Sequence, residues 1–112
     1  MENLKFIPDY EGLYSADDKG NIYSHNFNGT GELKKLKLYN HPKGYICATL
    51  YKDKIATVHL AHRLIIKAFK PNPQNKKEVK HNDKNKINNN VYNLDWATRS
   101  ENIKHYKVVW YG

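Results

Sequence analysis

The stretch that decides the reading runs Glu78-Val79-Lys80-His81-Asn82-Asp83-Lys84-Asn85-Lys86-Ile87-Asn88-Asn89-Asn90, then Tyr92-Asn93-Leu94-Asp95-Trp96, then Thr98-Arg99-Ser100-Glu101-Asn102. Its first four residues read as a short strand. Residues 82–90 are Asn, Lys and Asp with almost nothing apolar to bury, so they read as a loop. Residues 92–96 read as a second short strand. Thr98 is placed as an N-cap with Glu101 three residues on, the spacing of a capping box, which opens a helix over 99–106. Strand, loop, strand and helix therefore follow one another directly.

Upstream, Leu64, Ile65, Ala68 and Phe69 recur at helical spacing and predict a short amphipathic helix over 61–69, stopped by Pro71 and Pro73. Residues 44–51 and 55–60, flanking Lys52-Asp53-Lys54, read as a β-hairpin. Lys34-Lys35-Leu36-Lys37-Leu38 alternates and fits a strand with one wet face. Residues 25–33 are polar and Gly-rich and read as a loop. Nearer the start, residues 6–14 read as a turn leading into a strand, Asp18-Lys19-Gly20-Asn21 as a hairpin turn, and residues 21–24 as the returning strand. Gly12 and Gly20 read as backbone devices. The apolar residues 108–111 are expected to add a strand or pack on the core.

The chain has 112 residues, the size of one domain or of two small ones sharing a core. Nineteen Lys+Arg against eleven Asp+Glu give a formal charge of +8, which favours a polyanionic partner such as nucleic acid. Arg63 and Arg99 are the only arginines, and lysines bind phosphate as point charges more than they read base edges. No apolar run is long enough to span a membrane, and no signal-peptide pattern opens the chain. The single cysteine, Cys47, excludes an intrachain disulfide framework and a Cys-based structural zinc site. A cytosolic setting is the expectation. Cys47, inside a strand, reads as a buried small apolar residue, and Trp96 as core. Tyr39, Tyr45 and Tyr51 read as core or sheet aromatics. His59 and His62 are spaced like half of a zinc site, but no second pair completes it.

Residues 59–105 resemble an HNH homing-type endonuclease of phages and introns. The resemblance is carried by His62-Arg63-Leu64-Ile65, Ala68-Phe69, Pro71-Asn72-Pro73, Val79-Lys80-His81-Asn82-Asp83, Asn88-Asn89, Asn93-Leu94-Asp95-Trp96, Thr98-Arg99 and Glu101-Asn102-Ile103-Lys104-His105. Residues 6–24 resemble a nuclease-associated module that often precedes this domain, through Ile7-Pro8, Tyr10-Glu11-Gly12-Leu13-Tyr14 and Gly20. The fold implied is α+β: a small N-terminal antiparallel β module over residues 1–58, followed by a ββα-metal (HNH) nuclease core over 59–112. Many relatives carry a further helix-turn-helix, for which these residues leave no room.

The same resemblance implies a metal-dependent DNA endonuclease acting on double-stranded DNA, with Mg²⁺ or Mn²⁺, one ion per active site. It places His81 as general base, a role that a neutral imidazole suits at neutral pH. Read from its immediate neighbours alone, His81 is a surface histidine in a polar strand. Asn93 falls where an asparagine orients that base, its amide oxygen accepting the imidazole N–H; otherwise it caps the second strand. Asn102 falls where the helix supplies a metal ligand, and an amide oxygen suits a hard cation; otherwise it is an exposed helix asparagine. His105 lies one turn on, on the same side.

Lys80 departs from the pattern. Relatives often carry Asp, Asn or His there, and a protonated lysine cannot ligate. Either the ion is held by Asn102 with an acid such as Asp83 or Asp95 and the substrate phosphate, or the scaffold is a catalytically weak DNA-binding or regulatory protein. An RNA-binding β protein is a weaker third reading. Asp83 also reads as a loop-stabilising residue. For duplex contact the candidates are Lys34, Lys35, Lys37, Lys43 and Lys52 on the β module, and Arg63, Lys84, Lys86, Arg99, Lys104 and His105 downstream. Arg63 reads equally as a structural residue. Monomer and homodimer both remain open.

Overall fold

The structure is a computed structural model and describes residues 4–27 and 31–106. Three antiparallel sheets surround one helix. The first has the order β1(Lys5–Phe6), β2(Tyr14–Ala16), β3(Ile22–Phe27), β4(Glu32–Lys35). The second is β5(Tyr39–Asn40), β6(Ile46–Lys52), β7(Ile55–Leu60). Helix α1(Ala61–Phe69) follows, then the pair β8(Glu78–His81) and β9(Leu94–Ala97), then α2(Arg99–Tyr106). The fold class expected from the sequence, α+β with an N-terminal antiparallel module and a ββα unit, is the one observed.

Local chemistry explains the turns. The β2–β3 turn is gathered on one carboxylate. Asp17 Oδ1 accepts the Lys19 and Asn21 amides at 3.0 and 2.8 Å, and Oδ2 accepts Asn21 Nδ2 and the Tyr23 hydroxyl at 2.9 and 3.0 Å. The β6–β7 turn is Asp53-Lys54, both at positive φ, as a two-residue hairpin turn matched to strand twist requires. Helix α1 ends at Lys70, whose extended backbone (φ −121°, ψ 124°) is what a residue before proline prefers.

Helix α1 buries Leu64, Ile65 and Ile66 against residues of all three sheets, including Ile7, Ile22, Leu50, Val79 and Leu94. Burying a side chain of that size contributes roughly 1.5–3 kcal/mol. Trp96 packs on this core and its indole N–H donates to the Lys70 carbonyl at 3.1 Å. Cys47 is buried, as expected.

Three expectations are corrected. Residues 25–33 are not all loop, since β3 reaches Phe27 and β4 starts at Glu32, paired Phe27↔Glu32. The strand expected over 34–38 therefore lies earlier, and Leu36 and Leu38 pack on the core beyond it. Residues Val91–Asn93 form a single 3₁₀ turn, and the second strand begins only at Leu94. Residues 108–111 lie outside the described residues.

Candidate active site

Strand β8 alternates, and its pairing with β9 fixes which residues share a face. His81 lies opposite Leu94 and Val79 opposite Trp96, facing inward; Lys80 lies opposite Asp95 and Glu78 opposite Ala97, facing the other way. His81 is 1% exposed. Its Nε2 is 2.9 Å from Oδ1 of Asn89, itself buried. An amide oxygen only accepts, so this contact puts the proton of the neutral ring on Nε2 and the lone pair on Nδ1. The ring of His62, from α1, meets His81 at a centroid distance of 4.9 Å and 66°; Tyr45 flanks both, at 5.2 and 6.2 Å. The Lys86 ammonium stands 4.8 Å from the Tyr45 ring centre.

Burial pushes the His81 imidazole below its ordinary value of 6.5; the Asn89 hydrogen bond and the Asp83 charge oppose this, and Lys86 adds to it. His62 is pushed down to about 3, by burial first and then by the neighbouring His81 and Arg63 charges. Both rings are therefore neutral at pH 7, the form in which an imidazole can act as a base.

The loop after His81 is tied by Asp83 and Asn93. Asp83 Oδ1 accepts the Asn85 amide at 2.8 Å and Asn93 Nδ2 at 2.9 Å; Oδ2 accepts Asn88 Nδ2 at 2.8 Å. Asn93 Nδ2 also donates to the Asn88 carbonyl, and its Oδ1 accepts the Asp83 amide, both at 2.9 Å. The amide of Asn93 is thus spent on closing the loop. The asparagine that the loop presents to Nε2 of His81 is Asn89. Gly20 buttresses that presentation: its φ is +95°, and a Cβ there would come within 3.0 Å of the Asn89 Cβ and carbonyl oxygen. The Val91 amide donates to the Asp18 carbonyl at 2.9 Å, joining the two turns.

Asn102, on α2, donates through Nδ2 to Glu78 Oε1 at 3.0 Å and to the Val79 carbonyl at 3.2 Å. Its Oδ1 is buried and has no hydrogen-bond partner among the described residues. An orphaned hard oxygen of this kind fits a cation ligand. The acids expected to help do not lie with it. Asp83 is engaged in the loop. Asp95 bonds Lys70 Nζ at 3.1 Å and Asn82 Nδ2 at 2.9 Å. Burial would raise the Asp95 carboxyl, but these hydrogen bonds and the Lys70 and Lys80 charges hold it below the usual carboxylate range. Among the described residues, no three His, Cys, Asp or Glu side chains converge as a metal site.

This ββα geometry agrees with the comparisons. Residues 59–104 match the model of a family described as HNH endonuclease. The chain is 33% identical over 104 residues to the DNA endonuclease I-HmuI of Bacillus phage SP01, covering 90% of this chain and 55% of that one. It is 32% identical over 103 residues to the H-N-H endonuclease F-TflII of Escherichia phage T5, covering 90% and 50%. An uncharacterized HNH endonuclease of Acanthamoeba polyphaga mimivirus is 33% identical over 87 residues, covering 73% of this chain and 26% of that one. A solved structure of I-HmuI, concerning DNA binding and cleavage by that homing endonuclease, superposes with a TM-score of 0.78 at 33% identity over 93% of this chain and 56% of that one. Residues 59–104 belong to the HNH endonuclease family. The chain spans about a quarter of the mimivirus protein's length and about half of the phage relatives'.

Around the HNH domain, the basic residues fall into two groups. Lys34, Lys35, Lys37, Lys43, Lys84, Arg99 and Lys104 are exposed. Others serve the fold: Arg63 donates to the Lys77 carbonyl at 3.0 Å and lies over the Trp96 ring, Lys52 Nζ donates to the Asp9 carbonyl at 2.6 Å, and Lys86 Nζ to the Lys43 carbonyl at 3.2 Å. The side chain of His105 lies outside the described residues. Tyr39 and Tyr51, expected in the core or a sheet, are sheet residues 44% and 60% exposed, so neither is core. His59 is bonded to the Tyr10 hydroxyl at 2.9 Å. No helix among the described residues is long and apolar enough to cross a membrane.

Sequence reasoning gave no role to Asn89, Glu78 or the His62 ring beside His81. Asn88-Asn89 was visible as a doublet, but a loop of asparagines carries no periodicity that singles one out. Glu78 differs from other surface acids only through Asn102, a contact between β8 and α2.

Proposed function

We propose that the chain is a DNA endonuclease that hydrolyses phosphodiester bonds of double-stranded DNA, nicking or cutting, with His81 as general base. The observation that supports this best is the 2.9 Å contact of His81 Nε2 with Asn89 in a buried site, which holds a neutral imidazole in one tautomer. In this mechanism Nδ1 of His81 removes a proton from a water as the water oxygen attacks phosphorus. The bond to the 3′ oxygen breaks, and that oxygen leaves and is protonated from solvent. Asn89 holds the ring, and Asp83 and Asn93 hold the loop that carries Asn89. The Asn102 amide oxygen would hold a divalent cation, Mg²⁺ or Mn²⁺, one per site, which when bound supplies positive charge to the phosphate and the leaving oxygen. Residues 59–112 carry the chemistry. Residues 1–58 add contacts to the DNA backbone through Lys34, Lys35, Lys37 and Lys43, joined by Lys84, Arg99 and Lys104.

The test is cleavage of supercoiled plasmid with and without Mg²⁺ or Mn²⁺, beside His81→Ala. Metal-dependent nicked or linear product from the unaltered chain, lost in His81→Ala, is the expected result. Equal cleavage by both chains removes His81 from the mechanism.

Two observations favour a second reading, a DNA-binding protein on a catalytically weak HNH scaffold. Lys80, whose ammonium cannot ligate, directly precedes the proposed base, and His81 is 1% exposed. Salt-sensitive duplex binding without cleavage in either metal is the outcome that selects it.

A further inference from the structure

We infer that Glu78 supplies the negative charge of a divalent-cation site completed by the Val79 carbonyl and the Asn102 amide oxygen, in place of the ligand that Lys80 cannot provide. The inference rests on the endonuclease reading above, which is what calls for a cation at Asn102.

Position 80 is closed to this task. Its ammonium cannot ligate, and Asp95 opposite is held by Lys70 and Asn82. Glu78 lies two residues earlier on the same face of β8. It is half-buried, and it is the acid that Asn102 touches.

The hydrogen bonds already mark the coordination point. Two oxygens, Glu78 Oε1 and the Val79 carbonyl, converge on Asn102 Nδ2 at 3.0 and 3.2 Å, while Oδ1 of the same amide is left buried without a partner among the described residues. A buried acceptor in that state has lost its water without gaining a partner. A half-turn of the amide would bring Oδ1 toward the same two oxygens. Three oxygens facing one point need a positive centre between them, and a divalent cation supplies it. The set is one carboxylate and two neutral oxygens, and Mg²⁺ is held in this way, by one or two carboxylates with water completing its shell.

The same residues also share a cavity. Glu78, Val79 and Asn102 line a cavity of about 180 Å³ together with His62 and with Arg63, whose guanidinium donates to the Lys77 carbonyl. His62 is 5% exposed and its Nδ1 has no hydrogen-bond partner among the described residues. His62 and Asn102, two residues that border this cavity, thus each carry a buried polar atom without a hydrogen-bond partner among the described residues.

The experiment titrates the full chain with Mn²⁺, reading free ion by electron paramagnetic resonance, with and without a short DNA duplex. The chains are unaltered, Glu78→Gln, Asn102→Asp and His81→Ala. Glutamine keeps an acceptor for Asn102 Nδ2, so folding is retained. One ion per chain, bound at least about tenfold more weakly by Glu78→Gln, more tightly by Asn102→Asp and unchanged in His81→Ala, is expected. Equal affinity in Glu78→Gln, or no Mn²⁺ bound by the unaltered chain in either condition, overturns the site. Plasmid cleavage separates the two claims. Cleavage that persists unchanged in Glu78→Gln leaves the endonuclease and removes the Glu78 site. Mn²⁺ binding that depends on Glu78 in a chain that does not cleave leaves the site and removes the endonuclease.

Discussion

The two faces of β8 hold opposite kinds of chemistry. The inward face carries Val79 and His81, packed on α1, with no formal charge and an imidazole fixed by Asn89. The outward face carries Glu78 and Lys80, half-buried and charged, against Asn102 and Asp95. A strand alternates its side chains, so four residues place a buried imidazole on one face and half-buried charged groups on the other. The alternation matters because each kind of group would disturb the other at close range. A full charge beside His81 would shift its protonation, and an apolar wall beside Glu78 would raise the cost of its charge.

The sharpest way to break the comparison is to remove the inward group. His81→Ala is expected to lower the cleavage rate by about 10²–10⁴-fold, the usual contribution of a general base. Duplex affinity, measured by filter binding at fixed salt, should stay within about twofold, because the charged residues remain. A matching fall in affinity would show that the two faces do not divide the work.

Acid should injure the inward face first. His62 has an unfolded value of 6.5 and a folded value of about 3. Because the folded value is the lower one, its contribution is complete above pH 6.5 and is lost as the pH falls toward 3. About 2 kcal/mol of that loss falls between pH 6.5 and 5, above the range where carboxylates titrate. Denaturant midpoints across this window should drop, and His62→Gln should flatten the drop. Cleavage should follow the same direction. Burial lowers His81 as well, so the acid limb of the rate profile belongs below 6.5. A limb centred above 6.5 would contradict the buried site.

How far this division was legible in the sequence differs from residue to residue. The capping box was legible in full: Thr98 Oγ1 accepts the Glu101 amide at 3.1 Å, and the Thr98 amide donates to Glu101 Oε1 at 2.9 Å. Helix α1 was legible because its apolar spacing and Pro71 are local signals. The His81–Asn89 contact was not. It depends on how far the loop closes, which Asp83 and Asn93 set from inside and Gly20 limits from a different sheet. The 3₁₀ turn at Val91–Asn93 escaped for the same reason, since Asn93 must turn back onto Asp83 and Asn88 before β9 can begin. Long-range packing decided these positions.

Asn93 and Asn89 give a smaller and more discriminating contrast. Asn93→Ala removes hydrogen bonds to Asp83 and Asn88 and leaves part-buried groups unpaired, so it should cost about 1–3 kcal/mol of stability by urea denaturation. Asn89→Ala removes the acceptor that holds Nε2 of His81, so cleavage should suffer about 10–100-fold, as for other groups that orient a functional histidine. If Asn93→Ala alone moved the rate profile, the orienting role would return to Asn93.

The smallest expected effect belongs to the outward face. Lys80→Asp exchanges a positive for a negative charge on the face that carries Glu78 and Asn102. In high dielectric, two charge steps at this range are worth about 1–2 kcal/mol, so Mn²⁺ should bind roughly tenfold more tightly. The same change sets a new carboxylate directly across the strand pair from Asp95, and like charges so placed cost a few tenths of a kcal/mol to about 1 kcal/mol of stability. The two readouts move in opposite directions: tighter metal, slightly lower melting temperature. The inward face supplies the control, because the His81 protonation, followed by its imidazole proton resonance in metal-free protein, should shift little across the strand. A large shift there would mean that β8 does not insulate its two faces, and that the charge at position 80 acts on the base as well as on the cation.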